Sequence, residues 1–120
     1  MDPQAATPRI LDVPEQARFE IRLGDELAGF AEYEREARRI AFTHTEVEAR
    51  FEGRGLGSQL IAAALDSARQ EGVAVRPFCP FVREYIASHP AYQDLVPEQE
   101  RERFGLAPDA ASRPPPRPGA

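Results

Sequence analysis

The hydrophobic period of this 120-residue chain first changes in a glycine-rich segment, residues 53–57. Before it, apolar residues alternate with polar ones. Phe19, Ile21 and Leu23 form a half-buried strand that ends in a Gly24-Asp25 turn. Residues 27–33 form a second strand, with Leu27, Gly29, Ala31 and Tyr33 on one face and Ala28, Phe30 and Glu32 on the other. A polar turn leads to a third strand at 39–47, carrying Ile40, Phe42 and the β-branched Thr43, Thr45 and Val47. Short connections make these three an antiparallel meander. After the glycines, Leu56, Leu60, Ile61, Ala64, Leu65 and Ala68 share one face of a helix over 56–70, stopped at Gly72. Residues 73–78 form a short apolar strand. Pro80 opens a second helix whose core face is Val82, Tyr85 and Ile86, and His89-Pro90 closes it. The order β-β-β-α-β-α is an α+β fold, with helices packed on a mostly antiparallel sheet.

Composition bounds the rest. Residues 1–15 hold Pro3, Pro8 and Pro14 and little apolar periodicity, and are expected to be a flexible arm. Residues 107–120 hold five Pro and no bulky apolar side chain, the pattern of a disordered tail. Within that tail, residues 113–118 also fit a proline-rich ligand for an SH3-like partner. The folded domain is then 16–106. The net charge of −5 argues against nucleic acid and against a polybasic membrane anchor. All fifteen cationic residues are Arg, which excludes a P-loop and any Lys Schiff base. Two His and the single Cys79 make neither HExxH nor CxxC, so no metal is expected, and one Cys makes no internal disulfide. No signal-type stretch and no run of 18 apolar residues occurs, so the expected location is cytoplasmic. The expected state is a monomer or weak dimer.

The segment Glu52-Gly53-Arg54-Gly55-Leu56-Gly57-Ser58 joins a strand end to a helix start. Glycines at alternate positions allow positive φ and close approach of the backbone to a ligand. The helix N-terminus behind them supplies unpaired N–H groups and partial positive charge, which suits a phosphate or pyrophosphate. Ser58 adds a hydroxyl. The competing reading is a bare strand-to-helix turn. A dinucleotide fingerprint fits poorly, because Ser58 stands where its third glycine belongs.

The run from Val47 to Ser58 resembles the acetyl-CoA loop of the GNAT superfamily of N-acetyltransferases, whose motif Arg/Gln-x-x-Gly-x-Gly/Ala follows a strand and opens a helix. Gly55 and Gly57 fall on its small positions. Glu52 falls on the Arg/Gln position, where an acid cannot donate to a phosphate; Arg54 offers positive charge nearby. His44-Thr45-Glu46-Val47, the loop, Arg76-Pro77-Phe78-Cys79-Pro80-Phe81-Val82 and His89-Pro90-Ala91-Tyr92, in that order, resemble the very small single-domain members of the superfamily over residues 17–96.

The resemblance implies a shortened GNAT fold. Acetyl-CoA would lie between the strand ending at Val47 and the strand at 73–78, with the backbone at Glu46 and Val47 along its pantetheine arm. Glu52, Gly53, Arg54, Gly55, Leu56, Gly57 and Ser58 would surround its pyrophosphate, and Pro80 would border it. The implied activity is acetyl transfer from acetyl-CoA to a primary amine, of a protein lysine, a peptide, a polyamine or another small amine, by direct attack on the thioester. The alternative is a non-catalytic CoA-binding regulatory or interaction module.

Cys79, just ahead of a helix, is a candidate nucleophile, an acid toward the departing CoA thiolate, or a cofactor contact; otherwise it is a small buried apolar residue. His44 is a candidate base toward the amine, or a half-exposed strand residue. Glu46 is a second candidate base, or an exposed strand end. His89 reads as a helix-end residue, with substrate contact as the alternative. Tyr85 and Tyr92 read as core residues with a hydrogen-bonding tip.

Overall fold

A computed structural model describes residues 7–106. Five strands lie in chain order in one sheet: β1 (Pro8–Val13), β2 (Arg18–Leu23), β3 (Glu26–Glu36), β4 (Arg39–Val47) and β5 (Ala74–Pro77). Helix α1 (Leu56–Glu71) joins β4 to β5, and α2 (Pro80–Ser88) follows β5. A 3-10 segment, Pro90–Leu95, and a short helix α3 (Glu98–Arg101) complete the described chain. The meander, the first helix, the last strand and the second helix occupy the expected places. The expected tail lies outside the described residues.

The N-terminal expectation is corrected. Residues 8–13 are not a loose arm but an edge strand, paired antiparallel with β2 from Pro8↔Leu23 to Val13↔Arg18. Its anchors are not local. The Tyr33 hydroxyl donates to Asp12 Oδ1 at 2.5 Å, and Ile10 packs against the core from the sheet edge. One apolar residue on the inner face leaves no periodic signal, and a proline at the first position is what an edge strand tolerates.

One hydrophobic cluster spans the inner face of the sheet and both long helices. Leu60, Ile61, Ala64 and Leu65 of α1 are fully buried against Ile21, Ile40, Phe42 and Val75. Burial of each large aliphatic side chain contributes about 1.5–3 kcal/mol. Gly72, at φ 73°, stops α1 with its amide on the Ala68 and Arg69 carbonyls.

Two features of β4 shape the space beside it. Glu32 pairs with His44 and Tyr33 with Phe42, so Thr43 is an extra residue, a β-bulge. Ahead of the bulge Ile40 and Phe42 face the core; beyond it Thr45 and Val47 do, and His44 and Glu46 face the other side with Phe30. Second, β4 and β5 are parallel, and their register runs only from Arg39↔Ala74 to Phe42↔Pro77. The Cys79 amide closes the fork with a 2.9 Å bond to the Phe42 carbonyl. Beyond it α2 leads the chain away from β4.

On the outer face Glu20 is 3% exposed between Arg18 at 2.7 Å and Arg22 at 3.0 Å. Burial pushes its carboxyl up, and the two guanidiniums more than offset this, so it titrates below its ordinary value of 4.5. A carboxyl lowered on folding stabilises the protein above its unfolded value, and that stability is lost as pH falls through the folded one. Thermal melts at pH 7 and pH 3 test this: Glu20→Gln is expected to lower the midpoint at pH 7 and to narrow the difference between the two. An undiminished difference would remove Glu20 from the acid response.

Candidate active site

The fork between β4 and α2 opens into a cleft of about 400 Å³. One wall is β4, through Thr45 and Val47. The opposite wall carries Phe81, on the first turn of α2. The chain between β4 and α1 forms the outer end. A 3-10 turn, Ala49–Phe51, buries the Phe51 ring; Glu52 is extended; Gly53 at φ 83° and Gly55 at φ 73° turn the backbone into α1. No side chain caps α1. Its first-turn amides at Leu56, Gly57 and Ser58 precede the first intrahelical donor, and all three residues line the cleft. Both left-handed glycines have open space where a Cβ would stand, so backbone conformation, not crowding, requires them. Gly57 is different: a Cβ there would lie 2.7 Å from Phe81 Cζ. The ring rests directly on the first turn of α1.

A second cleft of about 380 Å³ lies along the ends of β3 and β4. Leu27, Gly29 and Phe30 line it from β3, and Glu46 and Glu48 add carboxylates. It shares Thr45, Val47 and Glu52 with the first. Arg50 ties Glu48, at 3.2 Å, to Glu26 at the rim.

The residues singled out by sequence divide between these spaces. Val47, Glu52, Gly53, Gly55, Leu56, Gly57 and Ser58 line the first cleft, and Glu46 lines the second. Arg54 is exposed, its guanidinium 5.8 Å from the Phe51 ring centre, and is in neither lining. Pro80 borders a different groove, with Arg83, Glu84 and Phe104.

Cys79 is 3% exposed at the apex of the fork and is in neither lining. Its thiol donates to Thr45 Oγ1 at 3.4 Å. His44 is on the other face of β4, half-exposed, with Nε2 3.1 Å from Glu46 Oε1. The expected partnership of Cys79 with His44 is therefore not formed: the bulge at Thr43 turns Thr45, not His44, toward the thiol. His89 and Tyr85 stack with ring centres 3.9 Å apart, and Tyr92 donates to Asp66 at 3.0 Å. Neither tyrosine nor His89 lines either cleft.

Three residues lining the first cleft are not among the candidate site residues read from the sequence: Thr45, Phe51 and Phe81. The only available signal for Phe51 and Phe81 is proximity, to the loop and to the Cys-Pro pair. Thr45 has no local signal beyond its strand face. Among the described residues no group of three or more His, Cys, Asp and Glu is placed to hold a metal ion. No helix among them is long and apolar enough to cross a membrane.

The family model for GCN5-related N-acetyl-transferases matches residues 18–95, from the start of β2 to the end of the 3-10 segment. The chain belongs to this family. Acetyl transfer to nitrogen is the activity, in general terms, that membership carries. Two solved structures share the acetyltransferase fold. One is a "GCN5-like putative N-acetyltransferase" from Staphylococcus aureus, at a TM-score of 0.59 and 22% identity over 74% of this chain and 87% of that one. Another is Ard1 from Thermoplasma volcanium, at a TM-score of 0.51 and 20% identity over 68% of this chain and 66% of that one. No curated protein sequence matches. Strand β1 and helix α3 of this acetyltransferase domain lie outside the matched residues.

Proposed function

We propose that the protein transfers the acetyl group of acetyl-CoA to a primary amine, of a protein lysine or a small molecule, by direct attack on the thioester. The observation that carries this reading is the first cleft. It runs from an uncapped, glycine-entered helix start to Thr45, beside the fork where α2 leaves β4, as an anionic nucleotide with a long thioester arm requires. The amides of Gly53 to Ser58 hold the pyrophosphate, with positive charge from the α1 terminus and from Arg54. The unpaired edge of β4 at Glu46 and Val47 accompanies the pantetheine arm.

The amine arrives on the side of the second cleft. There Glu46, paired with His44, takes the proton that an ammonium must lose before it attacks. The nitrogen then bonds to the carbonyl carbon, the carbon–sulfur bond breaks, and the CoA thiolate leaves and takes a proton from water. The protein's contribution is to align two reactants and to stabilise charge on the carbonyl oxygen.

Titration calorimetry with acetyl-CoA tests the reading. Saturable micromolar binding is expected. No heat up to about 1 mM, where binding amounts to about −4 kcal/mol, would overturn it. One observation favours a second reading. Glu52, an acid at the motif's Arg/Gln position, lines both clefts, which suits a CoA-binding module without turnover. Tight acetyl-CoA binding with no CoA thiol released over a panel of primary amines would select that module.

A further inference from the structure

We infer that the hydroxyl of Thr45, held by the Cys79 thiol, donates to the carbonyl oxygen of the thioester, and that Cys79 is a positioning residue and not a nucleophile. The inference rests on acetyl-CoA occupying the first cleft as proposed above.

The geometry separates the two side chains by role. Cys79 is 3% exposed and absent from both cleft linings. Its S–H is engaged, donating to Thr45 Oγ1 at 3.4 Å. A nucleophile needs a free path to the carbonyl carbon, and Cys79 lies outside the lining of the cleft proposed to hold the thioester. Thr45 lines both clefts, so it faces the place where donor and acceptor meet.

Hydrogen-bond capacity points the same way. A threonine hydroxyl carries one proton and two lone pairs. With a lone pair occupied by the thiol, its own proton is free to turn toward the cleft. The β-branched side chain is stiff about χ1, and the accepted bond restricts the hydroxyl further. The other hydroxyl on the first cleft is Ser58, at the α1 end, where the pyrophosphate lies. Thr45 is at the fork end, one residue pair beyond the bulge that turns it inward.

The chemistry balances without a covalent enzyme intermediate. The amine nitrogen forms its bond to the carbonyl carbon as the carbon–sulfur bond breaks. The amine's proton goes to the carboxylate side of the second cleft. Thr45 keeps its own proton throughout and supplies only a hydrogen bond that strengthens as negative charge gathers on oxygen.

The test uses the full chain and acetyl-CoA carrying carbon-13 at the carbonyl. A hydrogen bond to that oxygen moves the bound carbonyl resonance downfield. The displacement is expected in the parent, retained in Thr45→Ser and lost in Thr45→Val. Calorimetry on the same variants is expected to show acetyl-CoA affinity about fivefold weaker in Thr45→Val, with CoA affinity unchanged, because CoA has no carbonyl to receive the bond. Cys79→Ser, which keeps a donor toward Thr45, retains the displacement; Cys79→Ala reduces it. An unchanged resonance in Thr45→Val overturns the inference. So does an acetyl mass increment on parent protein that Cys79→Ala and Cys79→Ser both lack, which would make Cys79 the nucleophile. Failure of the parent to bind either acetyl-CoA or CoA overturns the functional reading beneath it.

Discussion

Gly57→Val is expected to weaken acetyl-CoA binding about a hundredfold, about 2.8 kcal/mol, while leaving the melting temperature nearly unchanged. A Cβ at this position would lie 2.7 Å from Phe81 Cζ and 3.4 Å from Val47 Cγ2. The Phe81 ring must move, and the valine methyls take the space in front of the α1 amides. Those amides are the proposed anion site, and their donors act only at hydrogen-bonding distance. Stability is spared for two reasons. Phe81 is 40% exposed, so its ring can swing outward without uncovering the core. Valine is also no worse a helix former than glycine. Calorimetry and a thermal melt on one preparation check both halves. Near-parental affinity would place the pyrophosphate elsewhere, and a large drop in melting temperature would make Gly57 a folding residue.

Gly29→Val gives the opposite pattern: a loss of about 3 kcal/mol in folding stability, the upper end of ordinary overpacking. A Cβ on Gly29 would lie 2.6 Å from the Glu46 carbonyl oxygen and 3.2 Å from Val47 Cα. Both obstacles are backbone, and both belong to the strand that walls the two clefts. A side chain there can be accommodated only by parting the end of β3 from β4, which breaks the Gly29↔Val47 and Phe30↔Glu46 pairs. Gly29→Ala meets the same clash and is expected to lose most of the same stability. Urea unfolding is the measurement. A midpoint within error of the parent would show that the strand ends separate at no cost.

The two glycines illustrate what can be read locally. Gly53, Gly55 and Gly57 announce themselves by spacing, next to a change of period from two to three or four, and that junction forms one end of the first cleft. Gly29 looks like a weak point in a strand. Its meaning comes from the Glu46 carbonyl, seventeen residues on, and from a register that only the folded sheet possesses. The edge strand at Pro8–Val13 is illegible in the sequence for a related reason. Its stability comes from backbone pairing with β2 and from Asp12 meeting Tyr33, which is 21 residues away.

The chain's own pattern determined the meander, the helix over the sheet, the strand after it and the glycine-entered helix start. Each of these depends on periodicity or on backbone freedom within a few residues. The tertiary structure decided which side chains share the apex. A single extra residue, Thr43, reverses the phase of β4, sending His44 to the outer face and Thr45 to the thiol of Cys79, 34 residues away. Strand alternation states that neighbouring side chains lie on opposite faces. Which face becomes the interior depends on the register with β3 and on where β5 leaves β4, and neither is a property of the residues in β4 alone.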